Sequence, residues 1–307
     1  MDYHALLRSV ASSVESYRGQ GNVASYIPAL AKADPGKFGI ALALRDGSVF
    51  AAGDSHDEFS IQGISYVFAL PLALQQAKGA LWNHVGREPS GLPIHSIVQL
   101  HLEKGRPRNP LTSAGAIVAC DQYIGTRRPE EASKEFLDFL RQRSGDPDVG
   151  IDEGLAMAES RAGAFNRSLA YFISAAGNLR NEVEDVLSVY YAQCSVKMNC
   201  RQLARSMLFF AFDGRDPETG EVVTSSTHAR RTNALMMSAG HYDSSGEFAF
   251  RVGLPAKSAA SGCIVAIIPR VGTVCVWSPP LNSGGSSLAG AIALERLVER
   301  TGWSVFA

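Results

Sequence analysis

GEFAFRVGLPAKSAASGCIVAIIPRVGTVCVW, residues 246–277, holds three β-prone runs in close succession: EFAFRVGL (247–254), GCIVAII (262–268) and GTVCVW (272–277). Apolar and β-branched residues fill each run, and Gly, Pro and Ser punctuate them, the pattern of neighbouring strands. Upstream, FGIALAL (38–44) and VFAAGD (49–54) flank Arg45-Asp46-Gly47-Ser48, and an Asp-Gly pair between two such runs predicts a hairpin. Between the two strand regions, residues 60–240 read as helix with short loops, over 64–74, 114–123, 129–143, 164–176, 183–194 and 200–211. Glu159 and Asn166, seven residues apart, would share one face two turns apart if their segment were a single helix. At the start, Leu6, Leu7, Val10, Val14 and Tyr17 line one helical face; at the end, Leu288, Ile292, Leu294, Leu297 and Val298 line a helix over 287–301 that Gly302 ends. An early hairpin and three late strands form one sheet only if the two ends of the chain meet in space. The expected fold is therefore α/β of the α+β kind. Residues 1–59 and 241–307 build an antiparallel sheet flanked by terminal helices, residues 60–240 form an inserted helical domain, and a cleft lies between them.

Composition narrows the function. Hydrophobic residues make up 46% of the 307 and charged residues 19%, enough apolar material for a large core and no signature of disorder. With a formal net charge of -1 and no basic run longer than the pairs Arg127-Arg128 and Arg230-Arg231, nothing supplies the stripe that nucleic-acid binding needs. The cysteines (Cys120, Cys194, Cys200, Cys263, Cys275) are five in number and never in a C-x-x-C spacing, which argues against disulfides and structural zinc. The histidines show no ligand spacing either; His241, beside Tyr242, and His95, in a loop after Pro93, read as structural or surface residues. No metal and no cofactor are expected. The N-terminal stretch lacks a basic n-region and an apolar h-region, and no run of about 18 apolar residues exists, so a cytoplasmic protein without membrane association is expected.

The layout is that of the β-lactamase and penicillin-binding-protein-like hydrolases. Local segments go further. NVASYIPALAK (22–32), FSIQGISYVF (59–68), VGREPSG (85–91), RNPLTSAGAI (108–117), YYAQCS (190–195) and GEFAFRVGLPAKS (246–258) resemble the signature segments of the glutaminase family, and the resemblance spans essentially the whole chain. It implies the family reaction, L-glutamine and water to L-glutamate and ammonia through an acyl-serine, with no cofactor and commonly in a homo-oligomer, a dimer or tetramer. It also implies roles for Tyr26, Glu159, Asn166, Tyr190 and Tyr242, which match the family's pocket. The Glu159 carboxylate suits an α-ammonium. Asn166, Tyr190 and Tyr26 suit an α-carboxylate or side-chain amide, and Tyr242 is placed to pass a proton to departing ammonia. Lys257, in Pro-Ala-Lys-Ser, resembles the K-[ST]-G element that lends such sites positive charge.

The acylating residues depart from the family. In such folds a serine opens the first helix of the insert, and the lysine of its S-x-x-K motif, three residues on and on the same face, takes the hydroxyl proton. Gly63 stands at the nucleophile position and Tyr66 at the lysine position. Ser113 replaces an asparagine, and Ala259-Ala260 replace Gly-Val, whose second residue supplies an oxyanion N–H; that donor is backbone and survives at Ala260, although the added β-carbons are expected to shift the strand. No lysine has a serine three residues before it, so the dyad is not relocated. Ser60 and Ser65 have no lysine partner, and Ser258 and Ser261 belong to the opposite wall. Loss of a serine nucleophile costs about a million-fold in turnover. Tyr66, with an ordinary pKa near ~10, is a poor base unless an ammonium such as that of Lys257 lowers it; its ring is expected to lean over Gly63 and fill part of the pocket.

Singly, Tyr26, Tyr190 and Tyr242 read as amphipathic core tyrosines, and Glu159 and Asn166 as a solvated face. As a set within matching segments they read as a glutamine or glutamate pocket whose hydrolytic chemistry is lost or severely weakened. Two other readings stay open: an amidohydrolase with a rerouted nucleophile or directly activated water, and a non-catalytic oligomeric partner or amino-acid-binding regulator.

Overall fold

Strands β1 (Gly39–Leu44) and β2 (Val49–Gly53) form the hairpin around Asp46-Gly47, with Ala43 opposite Val49 and Gly39 opposite Gly53. The structure is a computed structural model and describes residues 1–90 and 97–307. His95 and Gly91, the last residue of segment 85–91, lie outside the described residues. Three short strands follow, β3 (Phe59–Ser60), β4 (Gly150–Ile151) and β5 (Val196–Met198), and then β6 (Ala256–Ser258), β7 (Cys263–Ile268) and β8 (Gly272–Trp277). The helices up to the middle of the chain are α1 (Tyr3–Ser13), α2 (Ser65–Ala77), α3 (Leu81–His84), α4 (Ile97–Leu102), α5 (Ser113–Ile124), α6 (Pro129–Ser144) and α7 (Glu153–Ala162). Those beyond it are α8 (Ala164–Ala175), α9 (Val183–Cys194), α10 (Cys200–Ser206), α11 (Leu208–Ala211), α12 (Ser226–Ala239), α13 (Ser245–Arg251) and α14 (Leu288–Thr301).

The ends of the chain meet as the strand pattern requires: the main sheet runs β2-β1-β8-β7-β6, antiparallel throughout, and Ala41 of β1 lies opposite Cys275 of β8. Side chains alternate across a strand. Ile40, Leu42, Ile264, Ala266, Val274 and Val276 face a cluster built with α1, α13 and α14. Ala41, Ala43, Cys263, Val265, Ile267 and Cys275 face the larger cluster of the intervening helices. Cover on both faces is why these strands are nearly continuous in apolar residues. The terminal helices are fixed by caps: Asp2 accepts the Ala5 N–H at 2.9 Å, Ser287 accepts that of Gly290 at 3.2 Å, and Gly302 ends α14 at φ 71°. No helix among the described residues is long and apolar enough to cross a membrane.

The structure corrects three local expectations. The run 247–254 is no strand: most of it is α13, because Phe248 and Val252, four apart, are buried together while Phe250 is 89% exposed. The edge strand is instead β6, which starts only after Gly253 (φ +67°) and Pro255. The stretch 200–211 breaks after Ser206 into α10 and α11. Glu159 and Asn166 do not share a helix, for Gly163 separates α7 from α8. A β-carbon at Gly163 would stand 1.9 Å from the Tyr191 hydroxyl, so this close crossing admits only glycine. A second small sheet, β3-β5-β4, was not foreseen; it pairs Ser60 with Lys197 and so anchors the chain just before Gly63.

Candidate functional site

From Ser60 the chain turns sharply. Ile61 donates to the Val196 carbonyl at 2.9 Å, Gln62 takes the left-handed conformation at φ 46°, and a 3-10 turn over Gln62–Ile64 leads into α2. A non-glycine residue held there is uncommon, and it directly precedes Gly63. The turn aims the Gln62 amide at α7, where it donates to Glu159 Oε1 at 2.5 Å. Glu159 is buried, and burial pushes its carboxyl up to about 7 against the opposing pull of the Gln62 hydrogen bond.

α2, α5 and α9 bring three hydroxyls together. The Tyr66 and Tyr190 hydroxyls are 2.7 Å apart, their rings are stacked at 5.9 Å, and Ser113, at the start of α5, faces the same space. Asn166 lies in the first turn of α8, and the Tyr191 hydroxyl donates to the Gly163 carbonyl at 3.4 Å just before that helix. On the sheet side, Tyr242 sits at φ 54° in a 3-10 turn ahead of α13. Lys257 of β6 reaches across beneath it, donating to the Gly240 and Ser258 carbonyls, with Nζ 4.1 Å from the Tyr242 ring centroid and 5.9 Å from that of Tyr66.

These residues surround one cavity of about 510 Å³, lined by Tyr26, Gln62, Gly63, Tyr66, Ser113, Glu159, Asn166, Tyr190, Tyr242 and Ala260 among others. Tyr26 stands at its rim, 63% exposed. Of the candidates read from the sequence, Lys257 alone does not line the cavity; it is fully buried behind Gly63 and Tyr242. Gln62 was not singled out by sequence reasoning. Its signal was available, as the amide side chain in the otherwise apolar word Ile61-Gln62-Gly63-Ile64. Ser258 is buried and bonded to the Gly240 carbonyl, Ser60 and Ser261 line a neighbouring groove, and Ser65 lies 3.8 Å from Cys194 Sγ. None of these four hydroxyls lines the cavity.

A β-carbon built on Gly63 would lie 3.4 Å from the Tyr242 hydroxyl, 3.5 Å from Tyr66 Cε2 and 3.6 Å from Lys257 Nζ. All are ordinary contacts. Tyr66 does lean toward this position, as expected, and burial raises its phenol well above the ordinary value, so it stays the poor base that its residue type indicates. The lysine yields instead: buried without an ion pair among the described residues, its amine is pushed down to about 7. The strand leading into Ala259-Ala260 keeps a regular antiparallel register. Lys257 stays opposite Val265, Ser258 opposite Ile264, and Ala259 donates to the Cys263 carbonyl at 2.9 Å. His241 is buried with its ring stacked on Phe248 at 3.7 Å and Nδ1 at 3.0 Å from the Ser286 hydroxyl, and burial lowers it well below the ordinary histidine value.

A depressed lysine costs stability, with a definite sign. The folded state holds fewer protons than the unfolded one between about 7 and the ordinary 10.5, so the cost is fully present below about 7 and fades as pH rises toward 10.5. Lys257→Met is expected to raise Tm by a few degrees at pH 6, with a gain that shrinks steadily by pH 9; thermal unfolding across that range checks it.

A family model described as Glutaminase matches residues 21–306. The chain is 49% identical over 305 residues to the glutaminase of Rhizobium rhizogenes, covering 99% of each. It is likewise 49% identical over 305 residues to the thermolabile glutaminase of Rhizobium etli, covering 99% of each. Among solved structures, a probable glutaminase from Bacillus subtilis complexed with 6-diazo-5-oxo-L-norleucine matches with a TM-score of 0.90 at 27% identity, over 100% of this chain and 98% of that one.

Proposed function

Because the chain belongs to the glutaminase family, with the β-lactamase-like fold of its solved members, we propose that it binds L-glutamine or L-glutamate and hydrolyses the amide at most very slowly. The helical stretch 60–240 and the sheet portions 1–59 and 241–307 then form two parts, with the amino-acid cavity in the cleft between them. One observation carries the reading. The pocket residues matching the family converge on a single cavity, and the position from which a serine would attack carries no side chain.

In this reading Glu159, steadied by Gln62, pairs with the ligand's α-ammonium, while Asn166, Tyr190, Ser113 and Tyr26 supply donors and acceptors for its carboxylate or amide. Gly63 and Ala260 both line the cavity, and their backbone N–H groups are the donors this reading assigns to the carbonyl under attack. With the hydroxyl absent, positioning and these donors leave only the residual acceleration of a serine hydrolase stripped of its nucleophile.

The test is calorimetric titration with L-glutamine alongside an ammonia assay. Glu159 must be ionised to hold an ammonium, and its carboxyl titrates near 7, so affinity is expected to fall as pH drops below that value. Binding at pH 5.5 is expected to be weaker than at pH 8 by at least roughly tenfold, because only the ionised fraction is competent. Equal affinity at both pH values, or prompt ammonia release, would overturn the assignment.

A further inference from the structure

Lys257 is anchored as an amine is anchored when its lone pair is to be used. Two backbone carbonyls, of Gly240 and Ser258, take hydrogen bonds from Nζ, and these account for both hydrogens of a neutral –NH2. No carboxylate pairs with it among the described residues, and no water-exposed surface remains on it. Its nitrogen lies 3.6 Å from where a β-carbon at residue 63 would stand, and the Tyr242 hydroxyl lies 3.4 Å from the same point. A hydroxyl one bond beyond that carbon comes within hydrogen-bonding reach of both.

We infer that Lys257 is a latent general base of this site, placed on the sheet to take the proton that the missing lysine at position 66 would have taken. The inference rests on the glutamine-pocket reading above. It means that the site has lost its nucleophile but not its base, and that the single change Gly63→Ser is sufficient to rebuild an acylating centre. Each step then has a donor and an acceptor. The serine proton passes to the Lys257 amine as the Oγ–C bond forms to the side-chain amide carbon. The ammonium returns a proton, through the Tyr242 hydroxyl, to the departing nitrogen as the C–N bond breaks, releasing ammonia and leaving a γ-glutamyl ester. Water gives its proton to the same amine as its oxygen bonds to the ester carbon, the C–Oγ bond then breaks as that ammonium returns the proton to Oγ, and L-glutamate leaves with the serine hydroxyl and the neutral amine restored.

Other groups around the amine do not compete. Tyr66 on α2, Tyr242 ahead of α13 and Cys263 on β7 are all raised by burial, and burial lowers His241, which makes it the weaker base. Glu159, across the cavity, titrates in the same range as Lys257, but its ionisation governs ligand capture and so enters KM, whereas Lys257 governs the chemical step and enters kcat.

The experiment compares the full-length chain with Gly63→Ser, Gly63→Ser/Lys257→Met and Gly63→Ser/Tyr66→Lys. Gly63→Ser alone is expected to release ammonia from L-glutamine, with kcat rising as pH increases through about 7. Adding Lys257→Met is expected to lower kcat by about a hundred-fold or more with KM within a few-fold, and adding Tyr66→Lys to change kcat by less than about tenfold. Thermal unfolding and L-glutamate titration verify that the Lys257→Met chain is folded and binds; if it is not, the kcat pH profile of Gly63→Ser and the small effect of Tyr66→Lys decide. A Gly63→Ser chain that binds L-glutamine yet stays inert, or one whose activity survives Lys257→Met or needs Tyr66→Lys, overturns the inference and leaves the pocket reading intact. Failure of both the native and Gly63→Ser chains to bind L-glutamine or L-glutamate overturns the pocket reading, and the inference with it.

Discussion

Gly63→Ser combined with Tyr66→Lys is expected to raise kcat for L-glutamine hydrolysis by on the order of a thousand-fold or more over the native chain. The magnitude follows from what is missing. An attack by water relies on positioning and oxyanion donors alone, whereas an activated serine splits the reaction into two easier steps. The structure admits the change without rearrangement: residue 63 has no positive φ, and its β-carbon meets nothing closer than 3.4 Å. Position 66 lies one turn further on, beside the same Lys257 nitrogen. Two ammonium groups cannot both stay charged in so dry a place, so a lysine introduced there is driven toward its neutral, basic form. The Tyr66–Tyr190 hydrogen bond is lost in exchange, a modest cost for one neutral pair. Tyr66→Lys alone should leave turnover at the native level, since a base without a hydroxyl to deprotonate forms no acyl-enzyme.

The second large effect concerns binding. Glu159→Ala is expected to weaken L-glutamine by on the order of a hundred-fold at pH 8, as judged by calorimetry. The carboxylate is the acid that lines the cavity, it is buried, and Gln62 holds it in place from a strained turn. Removing it leaves an ammonium to be desolvated with no partner. The same change should not unfold the chain. A carboxyl raised to about 7 contributes a stability penalty that is fully present above that value and lost as pH falls toward the ordinary 4.5, so its deletion relieves a cost at pH 8. A lower affinity with an unchanged or higher Tm separates a binding role from a structural one.

The sequence speaks clearly where one element decides the outcome. Asp46-Gly47 between two apolar runs gave the hairpin, and the late apolar runs gave β7 and β8, because a turn residue and short, nearly continuous β-branched runs bounded by glycine suffice there. The stretch 247–254 misled for a physical reason. Phe248, Phe250, Val252 and Leu254 alternate like a strand, but Phe248 and Val252 also fall four apart, and the space between α14 and the His241 ring takes that pair as a helix face. The candidate pocket was legible as residues, through family-like words, and not as geometry. That Glu159 and Asn166 arrive on separate helices depends on the Gly163–Tyr191 crossing, a contact between distant segments. The protonation of Lys257 depends on burial by α2, β7 and the segment at Tyr242 together, which no local pattern encodes. Gln62 carried a signal in its residue type, but the left-handed backbone turn that aims its amide at Glu159 is not legible locally.

The central claim is a retained amino-acid pocket without its acylating serine, and a saturation-transfer NMR time course on L-glutamine with the native chain tests it most directly. The account predicts transfer from protein to ligand protons, abolished by Glu159→Ala, while no L-glutamate signal grows above the rate seen with that variant. L-glutamate accumulating clearly faster with the native chain than with Glu159→Ala, or no transfer to either amino acid, would contradict it.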